Sequence, residues 1–207
     1  MAQDYFAELK KQPYPVFVAP KPYSFDLNED MVQMLKDGFK ADKIVAALMG
    51  AIKDKKGDAE VKAAEAFFKD MGAKWMTRTI QLGDEYSDRT IEMIMETVDR
   101  QGRQFLIFPH VHQRYVEIGY LAVQDFLKVP ITLNNAVQLS YRIPRCAVYG
   151  KIKEKAGEAF AKHMTCSQFC MAGLATIQKQ LSSVDIIADQ PAKTAKEGFC
   201  EFTMRKL

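Results

Sequence analysis

Two stretches near the C-terminus carry the two-residue period of half-buried strands, and they constrain the fold more than anything else in the chain. From 137 to 143, Val137, Leu139, Tyr141 and Ile143 alternate with Gln138, Ser140 and Arg142, and Pro144 stops the run. Near 198–205, Cys200, Phe202 and Met204 fall on one face while Glu201, Thr203 and Arg205 fall on the other, so Cys200 is expected to point inward. Between them lie helical patterns around 151–162 and 166–181, followed by the apolar stretch Val184-Asp185-Ile186-Ile187.

The first hundred residues read differently. Asn28 is placed to cap a helix carrying Met31, Met34 and Leu35, and Asp42 to start another carrying Ile44, Val45 and Leu48. Asp58 opens a helix with Val61, Ala64, Phe67 and Phe68 at helical spacing, expected to end at Gly72. A further helix is expected from Ser87 to about Gly102. The run 104–108 reads as a buried strand or as the lead into a helix over 109–127, on which Val111, Tyr115, Ile118, Ala122 and Phe126 recur. The expectation is a single α+β domain over 1–207: an arm over 1–24, a helical part over 25–102, and an α+β part over 103–207 that holds the cysteines. The helical half would pack on a small antiparallel sheet formed mainly by the C-terminal half.

The arm is rich in proline, which fixes φ and removes amide donors, and it interleaves Tyr14, Val16, Phe17, Val18 and Tyr23. It would lie extended on its own chain or dock on a second copy in a homo-oligomer. The net charge is only +3, from 29 basic and 26 acidic residues scattered among one another, which argues against nucleic acid as partner. The start has no signal-peptide pattern and no apolar run approaches the roughly 18 residues of a membrane span, so a cytoplasmic location without membrane contact is expected. In such a reducing compartment the four cysteines are read as thiols, catalytic groups or metal ligands before disulfides. There is no P-loop, no GxGxxG and no CxxCH, so nucleotide and haem have no support.

Cys146 follows Arg145 after the first strand, Cys166 opens a helical pattern, and Cys200 lies in Gly198-Phe199-Cys200-Glu201-Phe202. A compact fold could bring these thiols to one pocket. A strand ending in Arg-Cys, a helix, a second Cys and a closing Gly-x-Cys-x-Phe strand together resemble the L-2-amino-thiazoline-4-carboxylic acid hydrolase-like family, over roughly residues 135–207. More distantly, the order resembles small-molecule-binding domains of the 4-vinyl reductase type, where cysteines can hold zinc. One position departs: the hydrolase-like family has an acid soon after the middle cysteine, and here Ser167, Gln168, Phe169 and Cys170 follow Cys166. The first resemblance implies hydrolytic ring opening of a small cyclic amidine or amide. The second implies a non-catalytic small-molecule or zinc-binding domain.

The residues themselves allow several chemistries. Cys166 at a helix start, near Arg145 and His163, would have its thiolate favoured by the helix dipole and by positive charge, which makes it the first candidate nucleophile and Cys146 the second. Packed inert thiols are the plain alternative. His163, Cys166 and Cys170 share a helical spacing and could bind zinc with Cys146 or Cys200, although the spacing is not that of a compact zinc motif. His110, Arg114 and Glu117 could bind a zwitterionic amino acid from one helix face, with Cys200 and Arg145 as further substrate contacts. The plain alternative for that face is solvent. His110 and His112 diverge by about 200° on a helix and cannot easily share a metal. Trp75, with Lys74 and Arg78 nearby, lines a pocket or belongs to the core.

Overall fold

The computed structural model describes residues 27–86, 92–93, 95–96, 99–100, 108–125, 128–181 and 185–207. The proline-rich arm and the run 104–107 lie outside the described residues. Four helices come first: α1 (Glu29–Phe39), α2 (Ala41–Ile52), α3 (Asp58–Glu85) and α4 (His110–Val123). A hairpin follows, β1 (Ile131–Asn135) and β2 (Gln138–Ile143), then α5 (Ala147–Ala156), α6 (Glu158–His163), α7 (Ser167–Leu181), β3 (Ile186–Ala192), the short α8 (Thr194–Glu197) and β4 (Cys200–Lys206). The strands form one antiparallel sheet in the order β1-β2-β4-β3, so the architecture is α+β, with the sheet in the C-terminal half. Of the helix expected over 87–102, residues 92, 93, 95, 96, 99 and 100 are described and helical. No helix among the described residues is long and apolar enough to cross a membrane.

Local chemistry sets most boundaries. The Asn28 side chain accepts from the amides of Asp30 (2.8 Å) and Met31 (3.2 Å), capping α1. The Asn135 side chain accepts from the amides of Val137 (3.0 Å) and Gln138 (2.9 Å), which folds the β1–β2 turn. That interaction takes Val137 out of the strand in which its apolar side chain would place it, and Val137 is exposed. Gly157, with φ 87°, breaks the expected 151–162 helix into α5 and α6.

Two expectations fail for packing reasons. The third helix does not end at Gly72 but runs on to Glu85, because Gly72 is a contact point: a Cβ there would lie 2.1 Å from the carbonyl oxygen of Phe169 on α7. Helices α3 and α7 therefore approach backbone to backbone. Met34, grouped by sequence with Met31 and Leu35, turns outward.

The core is strung on aromatic rings from five elements. Phe169 (α7) stacks on Trp75 (α3) at 4.6 Å, Trp75 meets Tyr120 (α4) edge-on at 5.2 Å, Tyr120 meets Tyr141 (β2) at 5.3 Å, and Tyr141 stacks on Phe202 (β4) at 5.4 Å. Tyr141 pairs with Phe202 in register, as Leu139 does with Met204 and Ile143 with Cys200, so the inward faces of β2 and β4 coincide. Trp75 is thus core: fully buried, its indole N–H donates to the Gly119 carbonyl at 3.1 Å.

Not every glycine has a packing role. Gly50 in α2 is exposed and a Cβ there would meet nothing within 4 Å. Gly50→Ala should raise stability by about 0.5–1 kcal/mol, since glycine loses more backbone entropy in a helix than alanine does. Urea unfolding of the two proteins checks this, and an unchanged or lower midpoint counts against it.

Candidate functional site

Two buried polar groups and one open cleft meet around α4. This helix packs against α1, α3 and α7 and meets the sheet through Tyr120 on Tyr141 and Gln113 on Asn134, and every residue from Val111 to Val123 is buried. The wet face expected for its charged residues is therefore absent, and its polar side chains take partners inside. Arg114 is wholly buried and donates to the carbonyls of Gly83 (2.9 Å) and Tyr86 (3.2 Å), satisfying carbonyls at the end of α3, where the helix dipole also favours a cation. Glu117 accepts from the Gln113 amide at 2.9 Å, and Gln113 in turn accepts from Asn134 of β1. Tyr115 donates to Asp84. His112 packs edge-on against Phe108 at 5.0 Å, while His110 is half-buried, with burial holding its pKa below the ordinary histidine value. Arg114 thus ties α4 to the end of α3, Glu117 bonds to Gln113 one turn away on α4, and His110, at the helix start, is the one of the three that is not fully enclosed.

The second group is the thiols. Cys146 caps α5: its sulfur accepts from the Tyr149 amide at 3.4 Å. Gln124, just past the end of α4, bridges to the same place, its side chain donating to Cys146 Sγ at 3.9 Å and accepting from the Ala147 amide at 2.7 Å. Cys200, opposite Ile143 in the sheet, has Thr194 beside its sulfur, with Oγ1 at 3.0 Å and the amide at 3.3 Å. Cys166 directly precedes α7, and Cys170 lies one turn inside it.

These four sulfurs are within electrostatic reach of one another. Burial pushes Cys146 up to about 11, with Cys200 adding to the rise. Burial also raises Cys166 and Cys170 well above the ordinary thiol value, helped by Cys146 and Cys200 in each case. Tyr120 and Tyr141 are raised in the same way, by burial first and by neighbouring thiols after it. The direction is opposite to the activation expected of Cys166 at a helix start. Desolvation of a thiolate outweighs the dipole, and the side chains of His163 and Arg145 are exposed.

Nor is the zinc set assembled. Among the described residues no group of three or more His, Cys, Asp or Glu side chains could hold a metal ion. Charges influence each other over several ångströms, whereas zinc needs sulfur at about 2.3 Å.

Such thiols carry a pH signature. A group whose folded pKa lies above its unfolded value gives stability that is intact below the unfolded pKa and lost as pH rises towards the folded one. For Cys146 that window runs from the ordinary 9.0 to about 11, and Cys166 and Cys170 act with the same sign. The urea midpoint should fall between pH 8.5 and 10.5, and a flat or rising midpoint contradicts the upward shift of these thiols. At pH 8 a Cys146 pKa pushed up to about 11 leaves less thiolate than an ordinary thiol has, so native-state alkylation should be slower than that of the unfolded chain.

The cleft was not anticipated from the sequence. About 460 Å³ in volume, it lies between the ends of α1 and α4 and the starts of α2 and α5, and is lined in part by Lys36, Lys40, Asp42, Gln124, Asp125 and Lys151. Gln124 is shared: it walls the cleft and touches Cys146. The only sequence trace of the cleft is the four-residue spacing of Lys36 and Lys40 at the end of a helix.

No protein-family model matches this chain, and no curated protein matches it.

Proposed function

We propose that this chain is a small-molecule-binding protein that holds its ligand beside the thiol cluster without covalent chemistry at sulfur. One observation carries this reading: a cleft of small-ligand size is lined by Gln124, whose side chain contacts Cys146. Burial raises the pKa of Cys146, Cys166 and Cys170, the direction that disfavours the nucleophilic thiolate, and this supports it. The partners in this reading are small molecules and not nucleic acid, the location is cytoplasmic, and the arm over 1–24 joins copies into a homo-oligomer. The test is calorimetric titration with small cyclic amidines and amides, alongside assay for turnover. Saturable binding with no product supports the reading, and turnover that stops on loss of a thiol overturns it.

A second reading keeps the implied activity, hydrolytic ring opening of a small cyclic amidine or amide. It is favoured by the gathering of Cys146, Cys166 and Cys200, the positions on which the family resemblance rests. With Cys146 and Cys166 held in the thiol form by burial, water would add to the amidine or amide carbon, the ring bond to that carbon would break, and a proton would pass to the departing atom from a neighbouring donor. Under this reading Cys166→Ala loses turnover while the protein stays folded, and full turnover in that variant removes the assignment.

A further inference from the structure

We infer that the cleft between α1, α2, α4 and α5 binds a small organic carboxylate, an inference that rests on the binding reading above and names its ligand class. Its volume of about 460 Å³ suits a molecule of a few to a dozen heavy atoms. Three lysines line it, Lys36, Lys40 and Lys151. Lys151 is held by Asp42 at 3.3 Å and Glu154 at 3.0 Å, and Lys40 stands 4.0 Å from Asp37. Among the described residues no carboxylate pairs with Lys36. The backbone adds to the same wall: α2 starts at Ala41 with no side chain capping it, so the amides of its first turn, on the cleft-lining Ala41 and Asp42, have no side-chain acceptor.

Asp42 and Asp125 also line the cleft and decide which anion fits. A second negative charge, as on a phosphate dianion, would be set against both carboxylates. A carboxylate carries one charge, and a cationic group on the same molecule would be welcome beside Asp125. Gln124 links the cleft to Cys146, since it is a lining residue whose side-chain amide contacts both Cys146 Sγ and the first amide of α5.

The experiment is a nitrogen-15 amide NMR titration of the 207-residue chain at constant ionic strength, with propionate, propionamide and inorganic phosphate as probes. Propionate should give saturable shifts at the amides of Ala41, Asp42 and Gln124 with a Kd on the order of 10 mM, a value fitting so small a ligand. Propionamide should give none, and the double variant Lys36→Gln with Lys40→Gln, in which neither side chain is buried, should bind propionate roughly tenfold more weakly. Equal response to propionamide, tighter binding of phosphate, or an unchanged Kd in the variant overturns the inference. A cyclic amidine that shifts amides around Cys146 and Cys166 while Ala41 and Asp42 stay still overturns this placement and leaves the binding reading standing.

Discussion

Trp75→Ala should cost about 3–5 kcal/mol of folding stability, the range for removing a large aromatic from a packed core. The ring is fully buried, stacked on Phe169, edge-on to Tyr120 and hydrogen-bonded to the Gly119 carbonyl. Its surroundings are shaped to it: a Cβ on Gly119 or Gly173 would fall 2.8 Å from the indole. Because Trp75 joins α3 to α4 and α7 and, through Tyr120, to the sheet, the cavity left by alanine cannot close by shifting one helix. Chemical denaturation followed by far-ultraviolet circular dichroism measures the loss. A cost below about 1 kcal/mol would mean that the aromatic chain does not hold the two halves together.

Gly72→Ala should be the most harmful small change available, at about 2–3 kcal/mol, although alanine is the better helix former. The new methyl would be 2.1 Å from the Phe169 carbonyl oxygen, 2.8 Å from its carbon and 2.9 Å from its Cα, all backbone atoms that no rotamer change can move aside. Relief requires α7 to separate from α3 along their shared seam. The same substitution at Gly50, where space is open, should act in the opposite direction. If Gly72→Ala leaves the denaturation midpoint unchanged or raises it, the close approach of α3 and α7 is wrong.

Much of the fold was legible because it follows from local patterns. The alternations in β2 and β4 identify their inward faces, and Asn28 marks the start of α1. What escaped depends on partners distant in sequence. Strand β1 is exposed over Thr132–Asn135, so Ile131-Thr132-Leu133-Asn134-Asn135 has no buried face to announce it. Gly72 reads locally as a helix stop, and only the carbonyl of Phe169 explains why it is a contact. The polar residues of α4 look solvated until α1, α3, α7 and the sheet pack against the helix, and Arg114 meets carbonyls 28 and 31 positions away. The protonation of the thiols was misjudged for the same reason: a dipole can be read from a helix start, whereas the burial that outweighs it is a property of the assembled core.

The measurement that bears most directly on the proposed binding role is incubation of the 207-residue chain with 2-amino-thiazoline-4-carboxylate, the compound the family resemblance names. Bound ligand would be quantified by calorimetry and the solution followed by mass spectrometry for a ring-opened product one water heavier. Saturable binding with no product above the protein-free control, at pH 7 and again at pH 8.5, is the expected result. Accumulation of the ring-opened product at a rate proportional to protein and abolished in Cys166→Ala would contradict it and establish the hydrolytic reading in its place.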